Sequence, residues 1–200
     1  MKDNQITFPK HILLLFFLLL TGCQIFVSKD EPEIIQEPWE KLSIEKKIAQ
    51  MIMFRLKGDL TNDSAFEYKK FHRWINEIGI GGAVVYGGDL KETFERIQIA
   101  QSWSDIPLFI AADYERGLGQ WYDGATLFPT NMAVAATGRN ILAYEQGKIT
   151  AIEAKAFGVN MIFAPVMDVN NNPDNPIINF RSYGDDPRLV SIFGNSFIRG

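Results

Sequence analysis

The 200-residue sequence is poor in the residues that usually announce a cofactor or a cross-link. It has one cysteine, Cys23, and two histidines, His11 and His72. A single cysteine forms no internal disulfide, so no disulfide framework holds this chain together. Two histidines, one near the amino terminus and one in a helical pattern, build neither a His-based triad nor a histidine metal site, and no G-x-S-x-G elbow occurs. No metal and no cofactor are therefore expected. Positive charge is also scarce: 20 Lys and Arg against 24 Asp and Glu leave a net charge of -4, which argues against a nucleic-acid partner. The glycine-rich stretch 79–88 lacks the third glycine of a dinucleotide fingerprint and precedes a strand pattern, so it reads as a helix-to-strand turn.

There is no apolar run of the roughly 20 residues that a membrane-spanning helix needs. Residues 12–20 form an unbroken run of nine, preceded by Lys2, Lys10 and His11 and followed at once by Leu20-Thr21-Gly22-Cys23. That ending resembles the bacterial lipobox, in which cleavage before the cysteine exposes an amino terminus that becomes lipid-modified. The expectation is a signal peptide over 1–22, lipidation of Cys23 and an acidic tether over 23–38 containing Pro32 and Pro38. The mature chain would be anchored by lipid to the membrane of the bacterial cell envelope, facing the periplasm or the outside. Removing Lys2, Lys10 and Asp3 with the signal takes the net charge from -4 to -5.

The remainder, 39–200, has the apolar content of a globular protein; hydrophobic residues make up 46% of the sequence. Strand patterns at 48–54, 81–86, 107–112 and 159–164 alternate with helical patterns at 64–78, 90–103 and 140–157. Near-continuous apolar strands separated by helices describe an α/β protein with a parallel sheet. An open doubly wound sheet and a closed (β/α)8 barrel both fit. A complete barrel takes about 250 residues, and the chain stops within a helical pattern that starts at Asp186-Pro187. The expectation is thus a barrel of which 39–200 is the amino-terminal half.

Two stretches carry chemistry. Residues 159–187 open as a buried strand and continue into a long loop bearing Asp168, Asn170, Asn179, Arg181 and Asp185, donors and acceptors suited to a hydroxyl-rich ligand. In 107–120, Asp113 falls at the carboxyl end of a strand, the face where barrel active sites lie. Its carboxylate is either a binder of vicinal hydroxyls or a local partner of the backbone or of Arg116. Glu115, two positions on, is too close in sequence to flank a glycosidic bond together with Asp113. Gly117 and Gly119 permit a tight turn or a close approach to ligand.

The sequences KLSIEKKIAQMIM (41–53), IGGAV (80–84), IAADYERG (110–117), LFPTNMA (127–133), NMIFAPVMDV (160–169) and RSYGDDP (181–187) occur in order at ordinary distances. Together they resemble the amino-terminal half of a glycoside hydrolase family 3 catalytic domain. That resemblance implies a (β/α)8-type barrel and retaining hydrolysis of β-linked sugars through a covalent glycosyl-enzyme intermediate. It implies that Asp113 and Arg181 hold the non-reducing-end sugar, with Asn160 and Asp168 supporting the loop. The alternative for Arg181 is an ion pair with Asp168 or Asp185. The stretch 175–184 is similar to the β-N-acetylhexosaminidase branch, so a terminal β-linked N-acetylglucosamine is the implied substrate. A β-glucosidase-type specificity and a non-catalytic sugar-binding lipoprotein are the alternatives. Trp121 stands where that branch often has an arginine, and reads as either a sugar-stacking ring or a core residue. The nucleophile and the acid/base are expected beyond Gly200, so the chain as it stands is expected to be inactive.

Overall fold

A computed structural model describes residues 38–200. The proposed signal peptide, Cys23 and all of the tether except Pro38 lie outside the described residues. The fold below is that of residues 41–200, which form one compact unit.

Four strands, β1 (Met53–Arg55), β2 (Gly82–Val84), β3 (Phe109–Ala112) and β4 (Met161–Ile162), form one sheet in the order β1-β2-β3-β4. Every pairing is parallel, with Met53 opposite Gly82, Gly82 opposite Phe109, and Ala111 opposite Met161. Strictly sequential order has no point at which the strand order reverses, which removes the doubly wound alternative for these four strands. All four carboxyl ends lie at the same edge of the sheet.

The helices are α1 (Ile44–Gln50), α2 (Phe66–His72), α3 (Leu90–Ser102), α4 (Asn131–Ala136), α5 (Ile141–Ala156) and α6 (Pro187–Arg199). One face of the sheet, through Phe54, Ala83, Ile110, Ala112 and Ile162, packs with Phe71, Ile75, Ile97 and Phe157 in the main core. The opposite face is less covered: Phe109 is 54% and Phe163 46% exposed. A second cluster joins α5 to α6 through Ala143, Val190, Phe193 and Phe197, with Tyr183 of the preceding loop inside it.

Local signals explain most boundaries. Asp186 caps α6 by accepting the Arg188 N–H at 2.8 Å, with Pro187 in the first turn. Gly79, at φ 80°, ends the helical stretch before β2, as a helix-to-strand turn requires. The pattern at 64–78 resolves into α2 and a π-helical continuation, Arg73–Ile78.

Two expectations need correction. The apolar run 48–54 is not one strand: α1 occupies it up to Gln50 and only Met53–Arg55 pairs. The cause is a capped helix start hidden in an apolar pattern. Ser43 accepts the Lys46 N–H at 3.3 Å, and Glu45 places negative charge in the first turn. The strand at 159–164 is shorter, with only Met161 and Ile162 in the ladder and both half-buried. A helix that the periodicity does not announce, α4 (Asn131–Ala136), begins within the 127–133 stretch, where Thr130 caps it by accepting the Ala133 N–H.

Candidate functional site

Asp113 directly follows β3, and alternation along the strand puts its side chain on the face of Phe109 and Ala111. It is half-buried, and its carboxylate makes no hydrogen bond or ion pair with any described residue. Arg116 is not its partner: the Arg116 Nε donates to the Phe128 carbonyl at 2.9 Å, closing the loop that follows β3. The glycines of that loop serve packing. A Cβ on Gly119 would lie 2.7 Å from the Ala125 carbonyl oxygen, while the Gly119 N–H donates to Thr126 at 2.9 Å.

Arg181 ends the 3-10 turn Asn179–Arg181 in the loop after β4. Its ion-pair partner is neither Asp168 nor Asp185 but Glu115. The guanidinium grips Glu115 with both arms, Nε to Oε2 at 3.0 Å and Nη2 to Oε1 at 2.6 Å. Nη1 donates to the Ile177 carbonyl at 3.2 Å. A planar fork on a carboxylate is the geometry in which arginine is held most rigidly. The Glu115 hydrogen bonds raise the Arg181 guanidinium above its ordinary value; desolvation opposes this, and the charges of Glu115, Asp168 and Asp113 add to it. The side chains are 38% and 14% exposed respectively, so Arg181 keeps an open side toward solvent.

Sequence reasoning missed the support beneath this pair. In the sequence Glu115 stands out only as a carboxylate too near Asp113 to share a glycosidic bond with it. Gln146, buried on α5, donates to the Glu115 carbonyl at 3.0 Å, and Asn131, buried at the start of α4, donates to the Arg181 carbonyl at 2.8 Å. Gln146 shares the buried face of α5 with Ala143, Thr150 and Ala154, and its position at helical spacing from those small residues is the signal that could have found it.

Asp168 is exposed; its carbonyl accepts the Ser182 hydroxyl at 2.6 Å, which ties the start of the loop to its end. Asn160 does not support that loop. It lies at the amino-end side of β4, where its Oδ1 accepts the Ile110 N–H at 2.8 Å and its Nδ2 donates to the Leu108 carbonyl at 3.1 Å. It stitches β4 to β3 where the regular ladder has not begun. Asn160→Ala is expected to lower stability by about 1–2 kcal/mol in urea unfolding while leaving sugar affinity unchanged. A selective loss of affinity would return it to the loop.

Tyr114 and Tyr122 flank the site in sequence but face the core, and burial raises both phenols above their ordinary value. They stay neutral and take no part as bases. Among the described residues, no group of three or more His, Cys, Asp or Glu is placed to hold a metal ion.

A half-buried carboxylate with no partner among the described residues and a clamped guanidinium thus stand near one another at the carboxyl edge of a parallel sheet, the edge at which barrel active sites lie. Comparison with known proteins gives the family. Residues 43–200 match the glycosyl hydrolase family 3 N-terminal domain, and the chain belongs to that family. It is 35% identical over 133 residues to the beta-hexosaminidase A of Pseudoalteromonas piscicida, and 33% identical over 121 residues to a beta-N-acetylglucosaminidase/beta-glucosidase of Cellulomonas fimi. Each match covers 60% of this chain and 22% of the relative, so the chain spans under a quarter of the length of these two. The structure of a family 3 beta-N-acetylglucosaminidase from Paenibacillus sp. superposes with a TM-score of 0.67 at 35% identity, over 79% of this chain and 30% of that one. The sheet thus matches part of a family 3 barrel domain.

Proposed function

We propose that this chain supplies the sugar-holding part of a retaining, exo-acting β-glycosidase that removes terminal β-linked N-acetylglucosamine. The observation that carries this is the Asp113 carboxylate, without a partner among the described residues, near the Glu115-clamped Arg181. In the reaction, Asp113 accepts hydrogen bonds from hydroxyls of the terminal sugar, and Arg181 donates to the same ring through the N–H groups that Glu115 and the Ile177 carbonyl leave free. Fixing the sugar this way turns attack at its anomeric carbon into a step between positioned groups. Glu115 is committed to Arg181, so the carboxylate pair of a retaining mechanism is not formed by Asp113 and Glu115. The reading leaves the nucleophile and the acid/base to residues other than Asp113 and Glu115, and takes the four parallel strands as part of the barrel. The acetamido sugar is favoured by the resemblance of 175–184 and by the hexosaminidase relatives.

The test is hydrolysis of aryl β-N-acetylglucosaminide beside aryl β-glucoside by the complete polypeptide. Preference for the acetamido sugar is expected. Preference for glucose keeps the family and discards the branch; turnover of neither, by folded protein that binds sugar, favours a binding protein.

The Leu20-Thr21-Gly22-Cys23 sequence supports a lipid-anchored location in the cell envelope. Cys23→Ser is expected to move the protein from the membrane fraction to the soluble fraction on cell fractionation, since a thioether-linked lipid then has no attachment point. Continued membrane association would refute the anchor.

A further inference from the structure

Trp121 is not a core residue. Trp74 and Trp103 pack against the main core cluster, but Trp121 joins neither cluster and is 37% exposed. It is nevertheless held. Its Nε1–H donates to the Asp113 carbonyl at 2.9 Å, so the edge of the indole is fixed to the residue whose carboxylate is free. Its ring centroid lies 5.5 Å from that of Tyr86, tilted by 46°. Next to Tyr86, the Gly87 backbone also lies against the indole, since a Cβ there would be 3.9 Å from Cε3. Tyr86 is held in turn by Arg55, whose guanidinium carbon sits 4.2 Å from the tyrosine ring centroid. Arg55 ends β1, Tyr86 follows β2 and Trp121 follows β3, so all three stand at the same carboxyl edge as Asp113.

We infer that Trp121 is an aromatic platform that stacks on the ring of the sugar whose hydroxyls Asp113 holds. A pyranose presents hydroxyls around its rim and C–H groups on its faces. The rim suits a carboxylate and a guanidinium; the C–H face suits the electron-rich face of an indole. The hydrogen bond from the indole to the Asp113 carbonyl sets the ring next to the residue whose carboxylate would hold the rim hydroxyls. Bracing by Tyr86 and Gly87 means that little conformational freedom is lost when the ring docks. An arginine in this place would donate to a hydroxyl. The tryptophan instead selects a ligand that turns a C–H face toward β2 and β3.

The inference rests on the sugar-binding reading above, and its test separates the two. Titrate the complete polypeptide with N-acetylglucosamine and with glucose, following tryptophan emission and, in parallel, heat by calorimetry. A saturable emission change is expected in the wild type. Trp121→Phe should bind nearly as well by calorimetry but show no such change. Trp121→Ala should raise Kd about tenfold and raise KM rather than lower kcat. Calorimetric binding with unchanged emission, or Trp121→Ala binding as the wild type does, overturns the platform and leaves the hydrolase reading standing. An emission response without turnover of either aryl glycoside overturns the hydrolase reading and keeps the platform. Absence of calorimetric binding of both sugars overturns both.

Discussion

Arg181→Ala is expected to lose both stability and sugar affinity. The stability loss comes from Glu115, whose side chain is 14% exposed in the intact pair and would be left with no cation opposite it. Removing one member of a fully buried pair costs about 3–5 kcal/mol; with the guanidinium side 38% exposed, about 2 kcal/mol is expected here. Urea unfolding measures it. The affinity loss comes from the donors that face the ligand, about 1.5–3 kcal/mol for each hydrogen bond involving a charged group. Arg181→Lys refines the result. A lysine keeps the charge beside Glu115 but has no planar fork, so stability should recover more fully than affinity. The double variant Arg181→Ala with Glu115→Gln should recover stability and not affinity, because a neutral amide does not need the cation. Unchanged affinity in Arg181→Ala would reduce the pair to a structural brace.

For Asp113→Asn the expected pattern is the opposite one. The carboxylate has no partner among the described residues, so its loss leaves no orphan group, and stability should stay within about 0.5 kcal/mol of wild type. Sugar affinity should fall by about 1.5–3 kcal/mol for each charged hydrogen bond removed, roughly 10- to 150-fold in KM. Asp113→Ala should do at least as much damage to KM. The contrast is diagnostic: one residue of the site carries affinity alone, the other carries affinity and architecture. Equal KM values for Asp113→Asn and wild type would remove Asp113 from the sugar site.

These two variants also reach different layers of the site. Asp113 stands at the end of a strand, where it would meet a ligand directly. Arg181 stands on a loop held by Glu115, Asn131 and the Ser182 contact to Asp168, so loss of any of these should shift the arginine before it shifts the sheet.

Much of this was legible in the chain because it depends on neighbours in sequence. Asp113 follows an apolar run that must be a buried strand, so its place at the carboxyl edge was readable. Asp186-Pro187 announced α6 by cap and first-turn chemistry, and the glycine turn at 79 was readable because few other residues adopt that backbone. The start of the first helix was legible in principle through Ser43, but the apolar run that follows matched a strand equally well.

What the sequence alone determined is therefore local: the alternation of strands and helices, the caps, and the strand-end position of the free carboxylate. The tertiary structure decided which groups face one another. Glu115 and Arg181 are 66 residues apart, and nothing in either neighbourhood specifies the other. They meet because β3 and β4 are adjacent and parallel, bringing the loops after both to one edge. The same adjacency turned Asn160 from a loop support into a stitch between strands, whereas the fold of the loop after β3, with Tyr86 after β2 against it, set Trp121 beside Asp113 instead of in the core. Periodicity records which face a residue buries; only packing chooses its partner across the sheet.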